Sequence, residues 1–206
     1  MTDVIATTIA TYEQVAEQYA KRHSDISETQ DCADLFRLRL KGKNVLDVGC
    51  GHGRDANYFS TEYGLEVTGI DLSTKLLEIA SQTAPQAHFK RMDMRALASL
   101  DNIFPDNLFD GIWACASLMH IPKDQAPATL KGFHRVLKPQ GLLYISVSRG
   151  VGEGFENRSY NTPRFFACYA KQELEEILNS SGFDEIDSLG TSNEKWVSLY
   201  ATKSHS

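Results

Sequence analysis

The chain has 206 residues, 42% hydrophobic and 23% charged, with 21 basic against 27 acidic side chains and a net charge of −6. Those proportions are those of an ordinary globular domain and argue against disorder, fibrous repeats and a membrane span, which needs a run of roughly 18 apolar residues. The acidic balance removes the chain-wide basic field that non-specific nucleic-acid binding requires and leaves room only for a local basic lip.

Residues 1 to about 42 read as mostly helical. Their first twenty residues carry polar Thr, Glu and Gln where a secretory signal needs a basic start and an apolar run. From residue 43 onward, short apolar runs of β type alternate with helical segments, the pattern of a parallel sheet covered on both faces. The first strand is Asn44–Val48, followed by a glycine turn at Gly49–Gly53 and a helix to about Glu62, with Gly64 just beyond its end. A second strand is Glu66–Ile70. Ser73 is placed to cap a helix over Thr74–Thr83, closed by Pro85. The third strand is Ala87–Arg91, followed by a weak helical turn over Arg95–Leu100. Phe109–Ala116 is apolar on both faces and therefore a central strand.

Pro122 opens a helical region in which Leu130, Phe133 and Leu137 keep helical spacing, ended by Pro139 and Gly141. Gly141–Ser148 is the fifth strand. Arg149–Pro163 is polar, without period, and reads as a loop. Lys171–Ser181 is an amphipathic helix stopped by Gly182. Phe183–Leu189 and Lys195–Lys203 read as a closing hairpin across Thr191–Asn193. Cys32, Cys50, Cys115 and Cys168 lie too far apart for a CxxC pair, which implies reduced thiols, no metal site and a cytoplasmic protein.

The chemistry concentrates in Val45-Leu-Asp-Val-Gly-Cys-Gly-His-Gly-Arg54, a strand running through alternating glycines into a helix. Glycine lets a ligand approach the backbone, and the ends of central strands are where open α/β sheets bind ligands. Two cofactors compete for this turn. Gly51-x-Gly53-x-x-Ala56 satisfies a dinucleotide pattern, and Asp71 follows at close to the roughly 20-residue spacing of a ribose acid. Against a dinucleotide, Asp47 puts a carboxylate where it repels a pyrophosphate and suits a cationic ligand. No Tyr-x-x-x-Lys pair is present either.

Asp47-Val-Gly-Cys-Gly-His-Gly53 resembles the glycine motif of the class I S-adenosylmethionine-dependent methyltransferases, of the small-molecule type. The resemblance extends through Val67-Thr-Gly-Ile-Asp71-Leu-Ser73, Met92-Asp93-Met94, Phe109 to His120, and Leu137-Lys-Pro-Gln-Gly-Leu-Leu143, in order. It implies a three-layer Rossmann-like α/β fold with a seven-stranded, mostly parallel sheet and a C-terminal antiparallel hairpin. Residues 1–42 form a helical cap or lid over a domain at 43–206. It further implies S-adenosylmethionine as cofactor, with Asp71 on the ribose diol, Asp93 on the adenine amine, and Leu72 and Met94 on the ring faces. Asp47 faces the methionine ammonium, Gly49, Gly51 and Gly53 make room for the ligand, and Ala114 lends a backbone carbonyl. Tyr19, on a segment with Tyr12, touches cofactor or substrate. Arg54 either reaches the cofactor carboxylate or lies on the surface.

Methyl transfer needs alignment more than a dedicated catalytic group. His120 is the best-placed base candidate; its other reading is a structural histidine bonded to a backbone carbonyl. An Asp/Asn-Pro-Pro-Tyr/Phe motif is absent after the fourth strand, which argues against nucleic-acid amino groups as acceptors. Cys115 lacks the Pro-Cys of a nucleophile and reads as a buried strand thiol. The loop Arg149–Pro163, with Glu153, Glu156, Arg158, Tyr160 and Asn161, followed by Arg164-Phe-Phe166, resembles the substrate-side insertion of small-molecule methyltransferases. Its mixed charge suits a small polar or ionic acceptor, with no nucleic-acid or membrane partner expected. The rival readings are a nicotinamide-dependent oxidoreductase and a catalytically silent cofactor-binding partner protein.

Overall fold

The computed structural model describes residues 3–99, 103–188 and 192–204. The N-terminal segment forms α1 (Val4–Arg22) and α2 (Gln30–Arg39). Then follow β1 (Asn44–Val48), α3 (Arg54–Tyr63), β2 (Glu66–Asp71), α4 (Thr74–Thr83), β3 (His88–Arg91), β4 (Phe109–Cys115), α5 (Ala126–Val136) and β5 (Leu137–Ser148). The chain ends with β6 (Glu153–Glu156), β7 (Arg164–Ala167), α6 (Lys171–Ser180), β8 (Phe183–Asp187) and β9 (Trp196–Lys203). Seven strands form one sheet in the order β3-β2-β1-β4-β5-β9-β8. The first five pair in parallel, and β9 runs antiparallel between β5 and β8.

The period-2 pleat divides the apolar residues of the central strands between two cores. Leu46, Val48, Ile112, Ala114, Leu143 and Ile145 face one side, with α5 and α6 over them. Val45, Val67, Trp113, Leu142 and Tyr144 face the other, under α2 and α3. These are the three layers, and both faces of the parallel strands are sealed, as such strands require. The N-terminal segment is part of this packing: Phe36 of α2 is fully buried, with its ring 5.4 Å from Trp113 and 5.6 Å from Phe59.

The larger differences from the sequence reading fall in three places, beside shifts of one or two residues at other element ends and the unpredicted β7. The helix predicted from Pro122 through Leu137 is confined to Ala126–Val136, and Leu137 opens β5 opposite Phe109. Leu137 keeps helical spacing from Phe133, but Pro139 prevents the helix from continuing. Residues 138–141 then bulge out of the ladder, since the next pair is Gly111 with Leu142. The predicted loop Arg149–Pro163 contains β6, which pairs antiparallel with β7. A strand reading Glu-Gly-Phe-Glu offers no apolar alternation by which to recognise it. The weak turn predicted at Arg95–Leu100 is a 3₁₀ turn at Met94–Ala98. Leu100, Leu189, Thr191 and His205 lie outside the described residues.

Phe36→Ala removes a ring from a sealed core, so it should cost about 3–5 kcal/mol. Urea unfolding checks this: a loss below about 1 kcal/mol would mean that α2 is a peripheral cap.

Candidate active site

The turn after β1 is built from backbone bonds and close approach. The N–H groups of Gly49 and Cys50 both donate to the Ile70 carbonyl, at 2.8 and 3.1 Å. A Cβ on Gly49 would stand 2.5 Å from Cβ of Ser117, so only hydrogen fits there. Gly53 enters α3 at φ +82, and a Cβ would meet the Ala80 backbone at 2.9 Å. Gly51, at φ +53, turns its N–H to Asp71 Oδ2 at 3.0 Å. The other oxygen of Asp71 accepts from Ser73 N–H at 2.8 Å. Burial pushes the Asp71 carboxyl above its ordinary range, although the Ser73 and Gly51 N–H groups hold it back. The Leu72 N–H acts in the same sense, and a carboxylate with about four lone-pair sites retains acceptor capacity for a ligand hydroxyl.

A cleft of about 710 Å³, open mouth included, runs from this turn along the ends of β1, β2 and β4. Asp71, Leu72, Asp93 and Met94 all line it, with Met92 and Ile121 adding apolar wall. The Asp93 carboxylate is gripped by Arg95, whose Nε and Nη2 donate to Asp93 Oδ2 at 3.0 and 2.6 Å. Arg95 in turn donates to Gln125 Oε1 at 2.8 Å, which fixes the acid at the wall.

A second, larger cavity of about 1280 Å³ adjoins the first across Tyr12, Tyr19, Gly49 and Gly51. Asp47 lines it, is 2% exposed, and has an oxygen, Oδ2, without a hydrogen-bond partner among the described residues. Burial, then the neighbouring Asp55, pushes this carboxyl well above its ordinary value. A cation delivered here would reverse that penalty. Arg54 also lines this cavity, but its guanidinium is committed to Asp55 (2.6 Å) and to Thr29 Oγ1 (3.1 Å). Burial works against the Arg54 charge, and Asp55 more than offsets it. Gly53 and Ala114 line neither cavity. Ala114 is sealed inside β4, and Cys115 and Ala116 face the space instead. Burial pushes the Cys115 thiol far up, so it carries no thiolate at neutral pH.

Helix α1 lies against this end of the sheet through side chains that reach across it. Glu13 accepts from the N–H groups of Thr74 and Lys75 at the start of α4. Thr8 Oγ1 accepts from Phe165 N–H at 2.9 Å, and Thr11 donates to the Pro163 carbonyl at 2.7 Å. Tyr12 and Tyr19 thereby stand edge to face, 5.3 Å apart, where the two cavities meet. His120 Nδ1 lies 2.7 Å from the Phe165 carbonyl, which only accepts, so Nδ1 carries the proton. Burial pushes its pKa down to about 4. The ring is neutral, and its bare Nε2 accepts from the Tyr12 hydroxyl at 3.0 Å. Arg164 Nη1 donates to the same hydroxyl at 3.0 Å. His120 thus makes the carbonyl bond of its structural reading and also orients Tyr12. The sequence reading places Arg158, Tyr160 and Arg164 on a substrate-side segment but gives neither arginine a role, and it favours simple packing for Tyr12. For Tyr12 a signal existed: it stands two helical turns before Tyr19, on the same face.

An open sheet whose first strand feeds a glycine turn, tied to the acid that closes the second strand, defines a nucleoside-cofactor-binding α/β protein. Residues 45–141 match a family model described as a methyltransferase domain. A wheat (Triticum aestivum) phosphoethanolamine N-methyltransferase is 30% identical over 180 residues, 86% of this chain and 35% of its own length. A 2-methyl-6-phytyl-1,4-hydroquinone methyltransferase of Synechocystis is 36% identical over 108 residues, 51% of this chain and 32% of its own. The chain spans about a third of the length of these curated relatives. Among solved structures, a 1,6-didemethyltoxoflavin-N1-methyltransferase of Burkholderia thailandensis shares the fold. Its TM-score is 0.72 at 22% identity, over 97% of this chain and 88% of that one. Residues 45–141 thus belong to a methyltransferase-domain family of the class I S-adenosylmethionine-dependent superfamily, and the rest of the chain shares that fold. No helix among the described residues is long and apolar enough to cross a membrane.

A histidine whose folded pKa is lowered contributes stability that is complete above its unfolded value and lost as pH falls toward the folded one. For His120 that window runs from 6.5 down to about 4. Between pH 7 and 5 the native chain should lose about 2 kcal/mol more than His120→Gln. Urea midpoints of both proteins at the two pH values check this, and parallel losses would refute a buried neutral imidazole.

Proposed function

We propose that this chain is an S-adenosylmethionine-dependent methyltransferase acting on a small-molecule acceptor. The observation that carries the reading is Asp47, a sealed carboxylate with an unpartnered oxygen beside the glycine turn. A cationic cofactor end compensates such a group, whereas a dinucleotide pyrophosphate brings a second anion against it. The electrostatics therefore favour the sulfonium nucleoside over a nicotinamide dinucleotide.

When bound, the cofactor supplies the activated methyl group and its own leaving group. The chain supplies position and dryness. Asp71 accepts from the ribose hydroxyls, Asp93 on its Arg95 support accepts from the adenine amine, and Leu72 and Met94 cover the ring. Asp47 takes the ammonium, with Gly49 and Gly51 leaving the backbone open beside it. Tyr19 and Tyr12 close the site from α1, which acts as a lid. His120 serves as a positioning residue: its Nε2 holds the Tyr12 proton, and the phenol oxygen is left to accept from Arg164. The acceptor sits in the second cavity. The named substrates of the relatives, a phosphoethanolamine and a hydroquinone, support a small molecule. The four free cysteines suit a reducing, cytoplasmic setting.

Titration calorimetry with S-adenosylhomocysteine should give saturable heat, and NAD should give none. Asp71→Asn keeps the shape and removes the charge, so it should weaken that binding by about 30- to 150-fold, or about 2–3 kcal/mol. Heat with NAD alone would replace this reading by the oxidoreductase. Heat with S-adenosylhomocysteine but no turnover on a broad acceptor panel would favour a silent binding partner.

A further inference from the structure

Arg164 opens β7 on the wall of the second cavity and is only 6% exposed. A guanidinium taken out of water is costly unless an anion compensates it. The other arginines of this cavity have one: Arg54 pairs with Asp55 at 2.6 Å, and Arg158 pairs with Glu156. Arg164 forms no ion pair with any carboxylate among the described residues.

Its neighbours hold it without neutralising it. Nη1 donates to Tyr12 Oη at 3.0 Å and Nη2 to the Arg158 carbonyl at 2.6 Å. Nε is buried and has no partner among the described residues. The rings of Tyr160, Phe166 and Tyr12 surround the guanidinium carbon at 5.0, 5.0 and 5.4 Å. Ring faces attract a cation but carry no net charge. The neighbouring acids do not fill the gap. Glu156 is committed to Arg158, and Glu28, at the cavity rim, is solvent-exposed. Asp47 lies at the glycine turn of the same cavity and forms no ion pair. Arg158, neutralised by Glu156, adds a donor and not a net charge: it donates to Ser148 Oγ at 2.9 Å. His23 and His52 line the same space, and burial holds both below their ordinary pKa, so neither consumes an anion.

We infer that the second cavity is built for an acceptor bearing an oxyanion, a carboxylate or a phosphate-type group, and that Arg164 is the residue that receives it. This deepens the methyltransferase reading and rests on it for the word acceptor. An oxyanion on the fork of Arg164 fits the planar donor pattern better than a lysine site would. It also places the remainder of the acceptor between Tyr12 and the glycine turn.

The test uses the full chain, with and without saturating S-adenosylhomocysteine. Inorganic phosphate and acetate are titrated against sodium chloride of matched ionic strength while the melting temperature is followed. Saturable stabilisation by phosphate, by acetate or by both, beyond that of chloride, is expected, and the more effective probe identifies the oxyanion type. Arg164→Gln should weaken that response at least tenfold, with affinity for S-adenosylhomocysteine kept within twofold. Arg164→Lys, which keeps the charge and loses the fork, should fall between. If neither probe acts beyond chloride on the native chain, the inference is overturned, whatever the variants do. It is equally overturned if Arg164→Gln responds like the native chain. Failure of S-adenosylhomocysteine to bind overturns the methyltransferase reading instead, since the ligand-free titration still judges the oxyanion site.

Discussion

The site depends on one carboxylate. Asp71 closes β2 and accepts from Gly51 in the turn after β1 and from Ser73 at the cap of α4. Three segments of chain that meet at the edge of the parallel sheet are thereby locked to one another. Ser73 caps α4 through Leu76 N–H, and Glu13 of α1 docks on the two N–H groups just before it, those of Thr74 and Lys75. The start of α4 is a cluster of backbone donors with positive dipole character, and acids from two other elements converge on it. Glycine at position 51 is part of the same device, since its N–H reaches Asp71 only through a left-handed backbone. The floor of the first cavity and the docking of α1 therefore share one hydrogen-bonded cluster, which adds to the apolar contact that Ile5 of α1 makes with the core.

Most of the fold was legible because its signals are local. Asn44–Val48 and Thr74–Thr83 fall where the apolar pattern and the capping serine put them, and Gly64 ends α3 in a left-handed conformation. The seven-stranded sheet with its antiparallel end followed from alternation plus the motif order. Leu137 was misread because two periods fit it: it continues the helical spacing of Phe133, yet it also begins a strand against Phe109. Only the proline two residues on separates the two. β6 escaped because a short two-stranded ribbon is held by its partner β7 and not by its own side chains.

The candidate site was legible in the same measure. Asp71, Leu72, Asp93 and Met94 sit at strand ends, where topology alone sends ligands, and the structure gathers them along one cleft. Gly53 and Ala114 line neither cavity: Gly53 packs on Ala80 and the Ala114 side chain lies in the core, whereas the expectation for Ala114 concerns its backbone carbonyl. Tyr12, His120 and Arg164 come from α1, the segment after β4 and β7, and they meet only in three dimensions. No spacing in the chain records that meeting. His120 shows why residue type is not role: its proton is held by a carbonyl and its lone pair by a phenol.

The charges of the second cavity carry the synthesis further. Asp47 and Arg164 are both buried, of opposite sign, and line the same space, yet they form no ion pair with each other or with any other described residue. A fold selected for stability alone would let such groups pair or replace them with apolar side chains, because each carries a desolvation cost. Elsewhere the chain does pair its charges, as Arg54 with Asp55 and Lys138 with Asp110 show. The unpaired groups belong to different elements, β1 and β7, whose positions are set by the sheet and by the ribbon beside it. Rigid elements thus hold two buried groups of opposite formal charge apart on the wall of one cavity, where a ligand charge of the opposite sign offsets the desolvation cost of each. On the proposed reading, the cavity takes two ligand groups of opposite sign, one at the glycine turn and one at the ribbon, and their relative placement then follows from where β1 and β7 hold Asp47 and Arg164.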